Sequence, residues 1–161
     1  MKKIAIITML VAGLTGCAEK KITEAEVHTV MGQVEASARK HDAAGIVAHF
    51  APHALIMVSI PGSGGGLSRM SVGEYKTMLE GLWKVQLQSS YKVSNREVSI
   101  SMNGKSATAR DVATETVQLP GERIDSISKQ KAEIALVQGR PKIISLTAEV
   151  DSLVATPTGR N

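Results

Sequence analysis

Asp111 and Glu115 lie four residues apart in a run from Ser106 to Leu119 that alternates apolar and polar side chains. That alternation decides what chemistry they can do. Read as a strand, the run puts Ala107, Ala109, Asp111, Ala113, Glu115, Val117 and Leu119 on one face. Ser106, Thr108, Arg110, Thr114 and Thr116 share the other. The first face is the more apolar. A carboxyl group held there, among alanines that leave room for a ligand, loses solvation, and its pKa rises towards a range useful for proton transfer. At ~3.3 Å per residue the two carboxylates stand ~13 Å apart, too far for a shared-proton dyad. A bulge would reverse the parity and put both in solvent. Bulges are common in strongly bent sheets, and the solvated arrangement is the expected one.

The other candidates carry less chemistry. His49 and His53 have the spacing of a helical metal pair, but Pro52 falls between them and no glutamate completes a zinc-protease motif. His28 and His41 fall at the edges of the first predicted helix. Gly62 to Gly66 is not followed by the Lys-Ser/Thr of a phosphate loop, and Gly104-Lys105-Ser106 has Ser99 where the upstream glycine belongs. No metal site and no cofactor is expected. Tyr75 and Trp83 are candidate ligand contacts, although their place on the apolar face of a helix fits core packing better.

Cys17, the single cysteine, offers a different kind of chemistry. Lys2 and Lys3 precede an apolar stretch from Ile4 to Leu14, within the ~7–15 residues of a secretory signal core and short of the ~20 that span a bilayer. The run Leu14-Thr15-Gly16-Cys17 resembles the bacterial lipobox. That resemblance implies a diacylglyceryl group on the cysteine thiol and removal of residues 1–16. It also accounts for an unpaired cysteine in an exported chain. One acyl chain anchors a protein marginally, and the two or three of a lipoprotein do so durably. Ala18, by analogy with enteric bacteria, favours the outer membrane facing the periplasm. Residues 17–22 then form a short lipidated tether, at most ~17 Å from Ala18 to Ile22. The domain should sit almost on the bilayer, where Lys20 and Lys21 can meet anionic head groups.

Loss of Lys2 and Lys3 takes two from the formal net charge of +4. With Phe50, Tyr75, Trp83 and Tyr91 as the only aromatic residues, and no basic stripe, a nucleic-acid partner is not expected. The remaining length suits one domain with a real core.

Thr23 and Glu26 form a capping box, with Ile22 and Val27 as its staple, opening a helix over Glu24 to Lys40. Asp42 predicts a second, short helix through Phe50, stopped by Pro52. Ala54 to Ile60 reads as a buried strand, and Pro61 to Gly66 as a loop. Ser71 and Glu74 form a second capping box, opening a helix whose apolar face holds Val72, Tyr75, Leu79, Leu82 and Trp83. Asn103-Gly104 is a hairpin turn signal. Pro120-Gly121 and the segment Gln138 to Pro141 mark two further reversals. Four long antiparallel strands result, about 86–102, 105–119, 124–138 and 142–152, and the final residues 154–161 read as a frayed tail.

This order is α+β. From Ile22 to Leu153 it resembles the nuclear transport factor 2-like superfamily, which includes ketosteroid isomerase and polyketide-cyclase-like proteins. The run His41-Asp42-Ala43-Ala44-Gly45-Ile46-Val47-Ala48-His49-Phe50-Ala51-Pro52-His53-Ala54 carries the local likeness, with His53 where the family usually has Asp. The resemblance implies a domain over residues 23–153 in which N-terminal helices pack on a curved, mostly antiparallel sheet, leaving a pocket at the open end of a cone. Its isomerase-like enzymes keep a carboxylate base near the first strand and following loop. Here no Asp or Glu lies between Asp42 and Glu74.

The expected function is therefore a membrane-anchored, non-catalytic envelope module that binds a small apolar ligand or an envelope protein in the cone or on the sheet. A second copy of the chain is a further expected partner. The alternatives are an isomerase- or cyclase-like enzyme using Asp111 or Glu115, with Tyr75 and Trp83 as contacts, and a structural part of an envelope assembly.

Overall fold

The computed structural model describes residues 19–59 and 66–158. Cys17, the signal segment and most of the Pro61–Gly66 loop lie outside them. The order is α1 (Glu24–Arg39), α2 (Ala43–Val47), β1 (Phe50–Ser59), β2 (Leu67–Met70), α3 (Val72–Val85), β3 (Gln88–Ile100), β4 (Ser106–Leu119), β5 (Glu122–Val137) and β6 (Arg140–Pro157). The strands form one sheet in the order β2-β1-β6-β5-β4-β3. Every neighbouring pair is antiparallel except β1 with β6. The sheet is curved and unclosed, with the helices packed on it.

Both capping boxes form. The Thr23 hydroxyl accepts from the Glu26 N–H, and the Glu26 carboxylate accepts in return from the Thr23 N–H at 3.0 Å. Ser71 and Glu74 repeat the exchange at the head of α3. Each reciprocal pair satisfies two donors that a helix start otherwise leaves without partners.

Val27, Val30 and Met31 turn one side of α1 onto Ala107, Ala109, Ala132, Ile134 and Ile143 of the sheet. The alanines let the helix approach closely, and burial of the larger side chains drives the contact at roughly 25 cal/mol per Å². Residues 19–22, read as part of a tether, are instead packed on this same end of the sheet. Ile22 is buried, and its N–H donates to Gly104 O at 2.7 Å. Lys20 donates to Gly139 O at 2.8 Å, and Glu19 pairs with Lys105 at 2.6 Å. Gly104 has a φ of +70°, and a Cβ there would stand 2.9 Å from the Lys21 side chain. Only glycine meets both demands.

Three boundaries differ from expectation. α2 ends at Val47, and Phe50 already opens β1, so Pro52 lies inside a strand rather than stopping a helix. It falls between Phe50 and Leu55, where the register against β6 shifts, a place where a missing N–H removes no regular ladder bond. The tail read as frayed is ordered through Pro157, because Val154 to Pro157 pair with Asp125 to Glu122. The short strand β2 was not anticipated, since its four residues lack a usable alternation.

Ile134 has no residual exposure and sits where α1 meets the middle of the sheet. Ile134→Ala should cost about 2–5 kcal/mol in urea unfolding. Met102→Ala, on a fully exposed turn, should stay within about 0.5 kcal/mol.

Candidate functional site

β4 keeps an unbroken register against β5 from Ser106 to Leu119. No bulge reverses its parity, so the expectation that Asp111 and Glu115 are solvated is overturned. Both point to the helix side of the sheet, and their fates there differ.

Asp111 is 5% exposed and is bound from one side by Arg96. Nε and Nη2 of Arg96 donate to Oδ2 at 3.1 and 3.0 Å, while Oδ1 is buried with no hydrogen-bond partner among the described residues. Arg96 also reaches Glu35 at 3.4 Å, and Glu35 pairs with Arg39. Arg96 is inside only because the β3–β4 register shifts between Ser94 and Glu97, with Asn95 at a φ of +53°. The extra residue moves Arg96 to the inner face. Sequence reasoning missed it, because strict alternation from Tyr91 and Val93 places Arg96 outside. Desolvation pushes the Asp111 pKa up, and the Arg96 bonds oppose that rise without cancelling it. Held by Arg96, Asp111 does not line the cavity that opens beside α3.

Glu115 does. A cavity of about 360 Å³ opens between α1, α3 and the wide end of the sheet, and Glu115 is the only charged residue in its wall among the described residues. Desolvation raises its pKa, and no described donor bonds to it. Tyr75 and Tyr91 stand nearby. Burial first, then the Glu115 charge, pushes the Tyr75 hydroxyl up to about 12. Tyr91 is pushed up by burial as well, although its hydroxyl donates to Gln130 Oε1 at 3.3 Å. Both phenols therefore remain neutral donors throughout the physiological range.

The mouth is apolar. Leu82, Val85 and Leu153 line it and are exposed. Trp83 faces the cavity from α3 and carries His41 stacked on it, ring centroids 5.0 Å apart and 14° from parallel. His41 follows the end of α1 with a φ of +55°, and its Nε2 meets the Ser89 hydroxyl. Tyr75 packs obliquely on Phe50, 6.0 Å between centroids. Of the sequence candidates, Tyr75, Trp83 and Glu115 thus share one wall-lined space and Asp111 stands apart. Gln86, Ser89, Tyr91 and Gln130 join them, none of which the sequence singled out. Parity against Glu115 could have found Tyr91, its direct cross-strand partner. His49 and His53 do not converge on this cavity, and no cluster of three or more metal-ligating side chains occurs among the described residues.

No protein-family model matches the chain, and no curated protein does. Solved structures do. A candidate scytalone dehydratase from Novosphingobium aromaticivorans superposes with a TM-score of 0.64 at 17% identity, over 85% of this chain and 93% of that one. A type 3 hexachlorocyclohexane dehydrochlorinase from Novosphingobium barchaimii gives 0.68 at 10% identity, over 82% and 88%. A nuclear transport factor 2-like protein of unknown function from Pseudomonas putida gives 0.64 at 13%, over 78% and 84%. At these identities the likeness defines a fold. The chain has the nuclear transport factor 2-like, or cystatin-like, fold, shared by enzymes and by proteins without assigned activity.

Glu115 binds its proton more tightly folded than unfolded. In the window between the unfolded value, about 4.3, and the raised folded one, the native state holds more protons. Its contribution is fully present below that window and is lost as pH rises through it. In urea titrations, Glu115→Gln should show a smaller decline in stability with rising pH than the wild type, and should be the more stable protein at pH 8.

Proposed function

We propose that this domain is a small-molecule-binding module of the bacterial cell envelope, held at a membrane by lipid on Cys17, with the Glu115 cavity as its site. The observation that carries the binding half is the cavity itself. Its volume of about 360 Å³ falls in the ~300–1,000 Å³ range of small-molecule sites. Its wall is mostly apolar, with a few polar groups (Glu115, Tyr75, Tyr91 and Gln130) grouped to orient a guest. The anchoring half rests on the signal-like segment that ends at Cys17, and the outer membrane facing the periplasm is the proposed location.

A second reading is favoured by one observation, a desolvated carboxyl near two neutral phenols. Glu115 would take a proton from a carbon beside a carbonyl while Tyr75 or Tyr91 donates to the oxygen that gains charge. That is the division of labour of an isomerase- or dehydratase-like reaction. Asp111 is not available for it, being tied to Arg96.

Native mass spectrometry of the protein extracted from its host membrane tests the first reading. The expected mass carries diacylglycerol on Cys17 and a retained guest. Purified wild-type protein should also bind 4-tert-butylbenzyl alcohol, read by Trp83 fluorescence. Ala148→Phe, which fills the cavity wall, should lose at least tenfold in affinity without a lower unfolding midpoint. An unmodified Cys17 removes the anchor, and equal binding by the filled variant removes the site. If the second reading holds, Glu115→Gln binds the recovered guest and no longer turns it over.

A further inference from the structure

The chain contains one Phe, one Trp and two Tyr. All four, Phe50, Tyr75, Trp83 and Tyr91, line the Glu115 cavity. A wall that needed only to be apolar could be built from the leucines, isoleucines and valines that form the rest of the core. Aromatic rings differ from those in presenting a negative face, which attracts cations. Among the described residues, the same wall holds one carboxyl group and no Lys, Arg or His.

The basic side chains at the junction of α1 and β3 are committed elsewhere. Arg96 is bound to Asp111 and Glu35, and Arg39 to Glu35. His41 lies on Trp83 and meets Ser89 without lining the cavity. Gln86, in the same wall, has a buried Oε1 with no hydrogen-bond partner among the described residues. The interior therefore presents acceptors and aromatic side chains to a guest, and among the described residues supplies no positive charge. An anionic guest would set a second negative charge beside Glu115 in a poorly solvated space, which is costly. A cationic guest meets a countercharge in a wall that also holds the four aromatic side chains.

Building on the proposed binding role, we infer that the cavity selects an apolar organic cation, a tertiary or quaternary ammonium on a hydrocarbon body, with Glu115 as its counterion and the four aromatic side chains around it. Alkylated ammonium groups suit such a site because they are more weakly hydrated than a primary ammonium and lose less solvation on entering an apolar wall. The apolar mouth at Leu82, Val85 and Leu153 admits the hydrocarbon part.

Two isosteric probes isolate the charge: 4-(trimethylammonio)benzyl alcohol and 4-tert-butylbenzyl alcohol, which differ by nitrogen for carbon. Isothermal titration on the wild-type domain at fixed ionic strength should show the cation binding tighter by about tenfold or more. Glu115→Gln, with folding checked by its unfolding midpoint, should cut that preference to about threefold or less. Equal or tighter binding of the neutral probe to the wild type overturns the inference and leaves the cavity's binding role standing. A preference that survives Glu115→Gln intact also overturns it, since the cation is then held elsewhere. Binding of neither probe overturns both the inference and the binding role.

Discussion

Long strands must bend to wrap a helix, and in this protein the bending is done by breaks in register. β3 to β6 are 13 to 18 residues long, while α1 covers 16 at a much shorter rise per residue. A flat sheet of that length would leave most of its inner face without a partner. The shifts at Ser94/Glu97, Ile127/Ser128 and Glu133/Ile134 curl the strands instead. At the narrow half, alanines on β4 and β5 let α1 settle onto the sheet. Beyond the end of α1 the sheet continues, α3 covers it less closely, and the remaining space is the cavity.

The same constraint separates two carboxyl groups that the strand treats alike. Asp111 lies opposite the break in β3, which delivers Arg96 to it. Glu115 lies beyond the break, across from Tyr91, and has no cationic partner among the described residues. A buried carboxylate with a guanidinium bound to it is a structural element, because removing one partner would strand the other's charge. A buried carboxyl without one is held at a cost and is free to act on a guest. One irregular residue pair, Asn95 and Arg96, decides which is which.

Local signals carried much of this fold. Two capping boxes located the starts of α1 and α3, the Asn103-Gly104 turn located a hairpin, and alternation sorted the β4 side chains into two faces without deciding which one faces inward. What the chain concealed is what depends on irregularity or on distant partners. Pro52 reads as a helix stop because nothing nearby reveals a register shift that tolerates it inside β1. Arg96 reads as an outward residue because a bulge has no signature in a stretch such as Ser94-Asn95-Arg96. Tyr75 and Trp83 look like core on helical spacing alone. Only the placement of α3 over a gap, rather than over the packed centre, turns them towards open space. The end of β6 looked frayed because its residues hold their place through β5 and not through each other.

Residues 19–22 grip the hairpin turns at Gly104 and Gly139, at the narrow end of the sheet. Cys17 is two residues upstream of Glu19, within about 7 Å of it along the chain. The cavity mouth is at the other end, some 40 Å away along a strand such as β4. An acyl group on Cys17 would stand the domain upright on its tip, with the opening aimed into the aqueous compartment. Proximity to the bilayer would then concern the foot of the molecule alone. Under the proposed binding role, a guest would arrive from solution or from a facing surface, and the anchoring leaflet would hold the protein without feeding it.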